Sequence, residues 1–236
     1  MVRGAILLLV CFLLCVSGCR SLAPIQPASS ALHADTARQC RAHFLTRPRQ
    51  LVQSLTAYLP DGGVRDAIAV IRIHPEAGRF KCVIMSVEGL VLFDGEYDGA
   101  VSIHRAIPPF DEKKFARAMF ADIRLAFISP EAWNVEVGIL SGGTPICRYA
   151  YSDGKGFVEV RLSGADCLEI RRYTGGKRLR ETVDICYAPA CSFPGSGGAG
   201  EIPVKIDIFH HGLFGYRLEL KLIEAKELPR TEKQEG

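Results

Sequence analysis

The sequence lacks three features that would each point to a function. Its 29 Lys and Arg residues nearly balance its 26 Asp and Glu residues, and the formal net charge is +3. So small a net charge gives no indication of the strongly basic surface that is typical of nucleic-acid-binding proteins. The chain also contains no G-x-S-x-G nucleophile elbow and no C-x-x-C pair, which mark α/β-hydrolases and many zinc sites. We therefore predict no nucleic-acid partner, no enzyme activity, no metal and no cofactor.

The apolar run at the N-terminus is too short for a membrane-spanning helix. Residues 5–16 are uncharged and follow Arg3, whereas a spanning helix needs about 20 apolar residues. With the small pair Ser17-Gly18 they form the three parts of a cleavable export signal. Because Cys19 stands at the cut site, the segment resembles a bacterial lipoprotein signal, which implies that Cys19 becomes the diacylated first residue. An ordinary secretory signal and an uncleaved anchor are the alternatives.

This signal sets the expected organisation of the chain. Arg20 stands where an aspartate would resemble the inner-membrane retention signal of enteric bacteria. The resemblance therefore implies anchoring by Cys19 to lipid of the outer membrane, facing the periplasm. Residues 21–31, with two prolines and a serine pair, indicate a flexible tether. The predicted divisions are a signal peptide over 1–18, a lipid-anchored tether over 19–31, one folded domain over 32–226 and a polar tail over 227–236.

Six cysteines remain once the signal is removed and Cys19 is lipidated: Cys40, Cys82, Cys147, Cys167, Cys186 and Cys191. An even number in an oxidising compartment suggests disulfides, although six cysteines allow many connectivities. Only Cys186 and Cys191 are close enough in sequence to indicate a local bridge. The spacings fit no tetrahedral zinc site. Disulfides and buried free thiols both remain open.

Two segments have the apolar spacing of helices. Over residues 32–45 the apolar positions recur at roughly helical intervals: Leu32, Ala37, Cys40 and Phe44. After Pro108-Pro109, Asp111 can cap a second helix that runs to residue 127, before Ser129-Pro130 stops it. This helix carries a broad apolar stripe: Phe115, Met119, Phe120, Ile123 and Phe127.

From residue 50 onward the apolar period changes to two. The clearest example is 216–222, where apolar and charged residues alternate, so that one face of the strand is apolar and the other is solvated. Gly and Asp turn signals separate twelve strand candidates. They lie near residues 50–59, 67–74, 79–86, 90–97, 100–105, 132–140, 144–151, 158–162, 166–174, 179–187, 204–208 and 216–222.

These elements predict an α+β fold that is mainly β. A long antiparallel sheet with one apolar face must close into a barrel or wrap around something apolar, and the aromatic helix is the natural lid. Alternation indicates six strand residues that face the interior: Ile71, Ile84, Phe93, Val160, Ile206 and Leu220. Together with the five residues of the helical stripe, they are the candidates for binding an apolar ligand.

Five segments carry a resemblance to a known family: residues 86–93, 97–99, 108–109, 120–126 and 203–222. The first four are similar to bacterial lipoproteins described only as a domain of unknown function. That family is similar in turn to LolA and LolB, the periplasmic carrier and the outer-membrane receptor of lipoproteins, and the fifth segment is similar to the end of LolB. The resemblance implies an unclosed antiparallel β-barrel with covering helices and an apolar cavity for acyl chains. It implies an acylated protein or a lipid as cargo, and a periplasmic carrier protein as a partner.

One residue departs from the LolB-like pattern. In that pattern the turn before the third strand of the sheet carries an exposed apolar residue that engages lipid. Glu88 stands at the matching position, with Val87 and Leu90 close to it. Because a carboxylate at the tip opposes entry into a bilayer, the chain is expected to receive or bind acyl chains rather than insert lipoproteins into a membrane.

Three functions remain open. The first is a lipid-anchored envelope protein that binds acyl chains, as a lipoprotein receiver or lipid carrier of the outer membrane. The second is a structural or accessory outer-membrane lipoprotein whose core is filled by its own side chains. The third is an envelope enzyme, which would need a His or Ser with an acidic partner in a cleft. His210 and His211 face opposite ways on a strand, so neither has a role without such a partner.

Overall fold

A computed structural model describes the following residues of the chain: 22–132, 134–164, 166–187, 202–212 and 215–229. Both predicted helices are present, α1 over Ser30–Ala42 and α2 over Lys113–Phe127. Within these residues, neither helix combines the length and the apolar character needed to cross a bilayer.

Capping explains where the two helices begin. The Ser29 hydroxyl accepts a hydrogen bond from the Leu32 N–H at 3.5 Å, which satisfies an otherwise unpaired donor and starts α1 earlier than predicted. The predicted cap of α2 by Asp111 is wrong. Glu112 precedes the helix instead, and its side chain makes no capping hydrogen bond.

All twelve predicted strands are present, with small differences at their ends, and a short 3-10 helix, Pro75–Ala77, separates the second from the third. The strands are β1 (Arg49–Tyr58), β2 (Val64–His74), β3 (Arg79–Met85), β4 (Val91–Tyr97), β5 (Val101–Ala106), β6 (Asn134–Ile139), β7 (Pro145–Ala150), β8 (Gly156–Leu162), β9 (Cys167–Thr174), β10 (Leu179–Tyr187), β11 (Pro203–His210) and β12 (Arg217–Glu227).

The strands form one antiparallel sheet in the order β5-β4-β3-β2-β1-β12-β11-β10-β9-β8-β7-β6. Strands that follow one another in sequence pair within β1–β5 and within β6–β12, and the pairing of β1 with β12 joins the two runs. In the described part of the chain, β5 and β6 are edges that do not pair with each other. The sheet is therefore an unclosed antiparallel barrel, as predicted.

The core lies on the inner face of this sheet, beneath the two helices. Val158, Val160 and Leu162 of β8 show the pattern, because alternate residues of a strand point to the same side and all three are buried. Apolar side chains from α1, α2 and the strands form one continuous core. Removal of this apolar surface from water is the main force that holds the helices on the sheet.

The opposite face of β8 differs from the expectation. In the predicted strand 158–162 the charged residues alternate with the apolar ones, which predicts that Glu159 is solvated. This prediction is wrong, since Glu159 is 0% exposed. Arg148 and Arg161 lie over its carboxylate and donate hydrogen bonds to it. Arg148 also donates to the Ala23 carbonyl oxygen at 3.2 Å, which brings the N-terminal segment over the same spot.

The described part of the predicted tether contacts the edge strand β6. Gln26 and Ile139 exchange two backbone hydrogen bonds of 2.8 and 3.0 Å. Gly138 permits this approach, because a Cβ atom there would lie 2.3 Å from the Gln26 carbonyl oxygen. An edge covered in this way is protected from pairing with another chain.

Two disulfides cross-link the fold. Cys40 of α1 is bonded to Cys147 of β7, and Cys167 of β9 is bonded to Cys186 of β10. The predicted bridge between Cys186 and Cys191 is therefore wrong: Cys186 lies directly opposite Cys167 in the register of β9 and β10. Cys191 lies outside the described residues.

Cys82 of β3 shows that the other alternative, a buried free thiol, also occurs. Its side chain is on the inner face, and it forms no disulfide. Burial, followed by the charge of Asp94, raises the pKa of this thiol to about 12. The thiol therefore stays protonated and unreactive near neutral pH.

Candidate functional site

The residues predicted to contact acyl chains fall into two groups. Phe115 lies outside the core and packs edge-to-face on Phe110, with 5.0 Å between the ring centroids. Met119 is partly buried against the core. The other nine are core residues that are at most 7% exposed: Ile71, Ile84, Phe93, Phe120, Ile123, Phe127, Val160, Ile206 and Leu220. The fold thus brings Met119 and these nine together in one core and leaves Phe115 outside it. The contact of the predicted residues with acyl chains stays a prediction.

Aromatic rings connect α2 to the sheet. The ring centroid of Phe120 lies 6.2 Å from that of Phe93 and 6.2 Å from that of Tyr97, both on β4. Ala116, one turn earlier on α2, is 0% exposed, and its small side chain lets the helix approach closely. Stacked and edge-to-face rings contribute about 1 kcal/mol each beyond their buried area, so this contact fixes α2 over the inner face.

A buried amide lies within this apolar face. Gln53 of β1 is 0% exposed, and neither its amide oxygen nor its amide nitrogen has a hydrogen-bond partner among the described residues. In the sheet register Gln53 pairs with Ala69, Ala69 with Ile84, and Ile84 with Phe93. A buried polar group without a partner costs about 1–3 kcal/mol. The inner face therefore carries an amide that the fold itself does not satisfy.

One end of the sheet exposes apolar side chains. In the β3–β4 turn Val87 is 67% and Leu90 is 52% exposed, and at the start of β2 Val64 is 48% exposed. Both turns lie at this end because β1 and β3 each pair antiparallel with β2. Glu88 is exposed between its apolar neighbours. A hydrogen bond from the Ser86 hydroxyl holds the pKa of the Glu88 carboxyl below its ordinary value, so the tip carries a charge at neutral pH.

Three ionisable side chains meet on the inner face where α2 approaches β10 and β11, and we call them the acidic cluster: Asp122, Glu181 and His210. The Nε2 atom of His210 lies 3.0 Å from Oδ2 of Asp122 and 3.7 Å from Oε1 of Glu181. Glu181 is 0% and Asp122 is 3% exposed. The two carboxylates are therefore removed from water, whereas the side chain of His210 is 18% exposed.

Two neighbours hold the cluster in place. Arg172 of β9 forms an ion pair with Oε2 of Glu181. The ring of Tyr216 stacks on the imidazole of His210 with 4.1 Å between centroids, and its hydroxyl donates to Oδ2 of Asp122 at 3.4 Å. The orientations of both Glu181 and His210 are thus set by side chains outside the cluster.

Burial changes the protonation of these groups. Burial first, and the charge of Asp122 second, raise the pKa of Glu181 from 4.5 to about 7, against the opposing effect of Arg172 and His210. Burial also raises the pKa of the Tyr216 hydroxyl, and the charges of the two carboxylates add to this effect. Two carboxylates so close together and so buried favour a bound proton or a bound cation.

A cavity of about 400 Å³ lies beside the acidic cluster. Its walls are the C-terminal turn of α2 with the loop to Glu131, the β7–β8 turn, and Arg172, which reaches Glu181. Arg124 and Glu131 form an ion pair of 3.2 Å on this wall. Burial raises the pKa of Tyr151, which also lines the cavity. The cavity therefore mixes charged and apolar walls, and none of the eleven residues predicted to contact acyl chains lines it.

Sequence reasoning missed Gln53, Asp122 and Glu181. The alternation of the strands could have placed Gln53 and Glu181 on the inner face. Glu181, for example, is two residues before Val183 and four before Ile185, so its side chain points to the same side as theirs. Asp122 has no such signal, since an aspartate beside an aromatic stripe is usually solvated. His210 was considered and set aside for want of a partner, which the fold supplies.

The similarity of this chain to known proteins is found in its structure and not in its sequence. No protein-family model matches the chain, and no curated protein sequence matches it. A crystal structure of a LolA superfamily protein from Nitrosomonas europaea is similar, with a TM-score of 0.51 and 10% identity over 84% of this chain and 94% of that one. An outer membrane lipoprotein-sorting protein domain from Vibrio parahaemolyticus has a TM-score of 0.50 and 10% identity over 87% and 96%. The chain therefore has the LolA-like fold, an unclosed antiparallel barrel covered by helices.

Proposed function

We propose that this chain is a lipid-anchored envelope protein that binds acyl chains of a lipid or of an acylated protein on the inner face of its sheet, beneath α2. The observation that carries the proposal is Gln53, a fully buried amide with no described partner in the row of residues that leads to Phe93. The likeness to a domain named for outer membrane lipoprotein sorting supports the same class of cargo.

The amide has a use in a carrier that it lacks in a packed core. Acyl chains of lipids and lipoproteins end in an ester or amide group, whose carbonyl oxygen accepts a hydrogen bond. The nitrogen of Gln53 can donate to such a carbonyl while the chain lies along Ile84 and Phe93. Each CH₂ group removed from water contributes about 0.8 kcal/mol, so apolar contact supplies the affinity and Gln53 fixes the position of the head of the chain.

Entry of an acyl chain requires α2 to move. The helix is connected through Pro108-Pro109 and Ser129-Pro130, and its Phe120 occupies the space over Phe93. An acyl chain bound there would lie between the sheet and the side chains of Phe120 and Ile123, which would exchange part of their contacts with the sheet for contacts with the chain. We therefore assign to α2 the role of a lid whose aromatic stripe closes the inner face without cargo.

The anchor and the exposed tip complete the proposal. Cys19 would hold the chain in the outer membrane, and it lies outside the described residues. The tip residues Val87 and Leu90 would contact a membrane surface or an acylated partner, whereas the charge of Glu88 opposes deep insertion. This combination fits a protein that receives cargo from a periplasmic carrier protein or holds it, rather than one that inserts cargo into the bilayer.

A structural or accessory lipoprotein is the second candidate, and one observation favours it. Ten of the eleven predicted acyl-contact residues already pack against each other in one core. A core filled in this way needs no ligand. The two candidates differ in a measurable respect, because only the carrier binds an apolar probe.

The test is a titration with a fluorescent fatty-acyl probe on a soluble form that begins at Ser21, compared with its free energy of unfolding. The wild type should bind the probe at one site. Gln53→Leu should raise the free energy of unfolding, because it removes an unsatisfied amide, and should weaken probe binding about fivefold, which corresponds to one lost hydrogen bond of about 1 kcal/mol.

Two phenylalanines of α2 provide a matched pair for the same titration. Phe120→Ala removes a ring from the inner face and should weaken probe binding about tenfold. Phe115→Ala truncates the same residue type on the same helix outside the core, and should leave the affinity within about twofold. A wild type that binds no acyl probe, with Phe120→Ala costing about 3–5 kcal/mol of unfolding free energy, would establish the filled core instead.

The anchor is tested separately. Attachment of lipid needs the Cys19 thiol, so Cys19→Ala should stop processing and leave the precursor unprocessed or in the inner membrane. Cell fractionation and the mass of the purified chain report this directly. A mature protein that still partitions with the outer membrane after Cys19→Ala would contradict the lipoprotein assignment.

The proposal does not specify which acylated molecule is the cargo, because acyl chains are recognised by shape and apolar area alone. Mass spectrometry of material that co-purifies with the domain from its native envelope decides it. One lipid species would indicate a lipid carrier, and mixed acylated proteins would indicate a lipoprotein receiver. An empty domain that also ignores acyl probes would support the structural role.

A further inference from the structure

The acidic cluster has the composition and geometry of a metal site. Its members come from three different elements, α2, β10 and β11, and each offers one ligand atom, all three lying within 4.8 Å of one another. We propose that Asp122, Glu181 and His210 bind a divalent transition-metal ion of the zinc type, at a site on the inner face whose ligands are not among the residues predicted to contact acyl chains.

The first argument is that two carboxylate oxygens of the cluster are not satisfied by the fold. Within the described residues, Oδ1 of Asp122 and Oε1 of Glu181 are buried and receive no hydrogen bond. The side chains of Asp122 and Glu181 are 4% and 0% exposed. Buried carboxylates without donors are strongly unfavourable unless a positive charge compensates them. A dication between them supplies that charge.

The second argument is distance. Ligands bound to zinc at about 2.0–2.2 Å in tetrahedral geometry lie about 3.4 Å from one another. His210 Nε2 is 3.0 Å from Asp122 Oδ2 and 3.7 Å from Glu181 Oε1, values on either side of that spacing. The third separation, between the two carboxylates, is within 4.8 Å. The three side chains therefore need only modest shifts to converge on one ion.

The third argument is the set of groups behind the ligands. Arg172 pairs with Oε2 of Glu181, which directs Oε1 toward His210. The ring of Tyr216 stacks on His210, and its hydroxyl donates to Asp122 Oδ2. Partners of this kind orient ligands and tune affinity in known metal sites.

The ligand set also selects the ion. One imidazole nitrogen with two carboxylate oxygens suits zinc or manganese, whereas calcium and magnesium prefer oxygen ligands alone. With three protein ligands a fourth position remains for a small molecule or water, as in open zinc sites. Because Asp122 is on α2 and the other two ligands are on strands, a bound ion would also tie the proposed lid to the sheet.

The experiment is a zinc titration of the full chain, purified without a histidine tag and freed of metal with a chelator. Isothermal calorimetry should show one saturable equivalent of Zn²⁺ per chain, with Mg²⁺ and Ca²⁺ binding at least about tenfold more weakly. His210→Ala, Asp122→Asn and Glu181→Gln should each weaken Zn²⁺ binding at least about tenfold.

His211→Ala is the matched control. His211 is the next residue, and its Nε2 pairs with the Thr182 hydroxyl at 2.9 Å instead of with the cluster, so this variant should bind Zn²⁺ within about twofold of the wild type. Near-ultraviolet circular dichroism checks that each variant is folded. No saturable equivalent in the wild type, unchanged binding in all three ligand variants, or loss of binding in His211→Ala would each overturn the proposal.

A measurement on the wild type alone keeps the proposal testable if the ligand variants do not fold. X-ray absorption of the zinc-loaded chain should show a low-coordinate shell of nitrogen and oxygen with a single imidazole and no sulfur. A shell with no imidazole, with two or more, or with sulfur would place the ion elsewhere and overturn the assignment.

Discussion

Glu159 and Glu181 are glutamates of the same sheet, both 0% exposed, on opposite faces. The carboxylate of Glu159, on the outer face, accepts four hydrogen bonds of 2.6–3.0 Å, two from Arg148 to Oε1 and two from Arg161 to Oε2. Both of its oxygens are therefore saturated by cationic donors.

Glu181, on the inner face, shares its basic neighbours Arg172 and His210 with a second carboxylate, that of Asp122. Arg172 pairs with its Oε2 alone, while Asp122 places a second negative charge beside it. A buried charge that is fully paired belongs to the structure of the fold. A buried charge that is only partly paired is unfavourable until a proton or a cation from solution compensates it. Equal burial thus corresponds to a structural role for Glu159 and to the proposed metal-binding role for Glu181.

The largest expected effect is at Glu159. Glu159→Gln keeps the shape of the side chain and removes the charge that two partly buried arginines share. We expect a loss of about 3 kcal/mol in the free energy of unfolding, because removal of one partner from a buried ion pair leaves the other charge uncompensated. Urea unfolding followed by circular dichroism measures it.

Glu136→Gln is the control for that variant. Glu136 pairs with the same arginine, since Arg148 Nη1 lies 3.1 Å from its Oε2, but its side chain is 51% exposed. Exposed pairs contribute little, so this change should stay within about 0.5 kcal/mol. Equal losses for the two variants would show that burial of Glu159 has no energetic consequence.

An intermediate and opposite effect is expected at Glu181 in the presence of a chelator. Its pKa in the folded protein, about 7, is above the ordinary 4.5, so between these values the folded protein binds more protons and loses stability as the pH rises. Glu181→Gln cannot titrate. From pH 5 to pH 8 the unfolding free energy of this variant should therefore improve relative to the wild type by about 2 kcal/mol.

Stability curves at several pH values decide this prediction. Taking the difference between variant and wild type cancels the titration of the groups that do not interact with Glu181. A difference that does not change between pH 5 and pH 8 would show that Glu181 titrates normally despite its burial.

The comparison also shows what the sequence could predict. Alternation of apolar and charged residues predicted all twelve strands and the inward position of residues such as Val160 and Ile206, because period-two burial depends on neighbours along one strand. The lid helix was predicted for the same local reason. The prediction of an unclosed barrel came from the resemblance, since alternation alone does not distinguish a sheet that closes into a barrel from one that curves around an apolar group.

The contacts that distinguish Glu159 from Glu181 are not local. Asp122 and His210 are 88 positions apart in the sequence, and Asp122 and Tyr216 are 94 apart. The disulfide between Cys40 and Cys147 closes a separation of 107. Only the strand order, the register and the packing of the helices on the sheet bring such residues together, so a pattern that detects local periodicity misses them. Gln53 was missed for another reason, because a lone amide in an alternating strand gives no indication that it lacks a partner.

The smallest expected effect is at Tyr216, and it tests whether the inner-face carboxylates depend on each weak donor they have. The Tyr216 hydroxyl donates to Oδ2 of Asp122 at 3.4 Å, a long hydrogen bond, while its ring stacks on His210. Tyr216→Phe keeps the ring and removes only the hydroxyl. Because Asp122 retains His210 at 3.0 Å, the free energy of unfolding should fall by about 1 kcal/mol in chelator-treated protein.

Added Zn²⁺ should reduce this difference between variant and wild type, since the ion would supply the positive charge that the hydroxyl supplied in part. Urea unfolding of wild type and variant, with and without Zn²⁺, measures both values. A loss above about 3 kcal/mol that Zn²⁺ leaves unchanged would mean that Tyr216 is a structural support of the cluster in the manner of Arg148 and Arg161 at Glu159, and the contrast between the two faces would disappear.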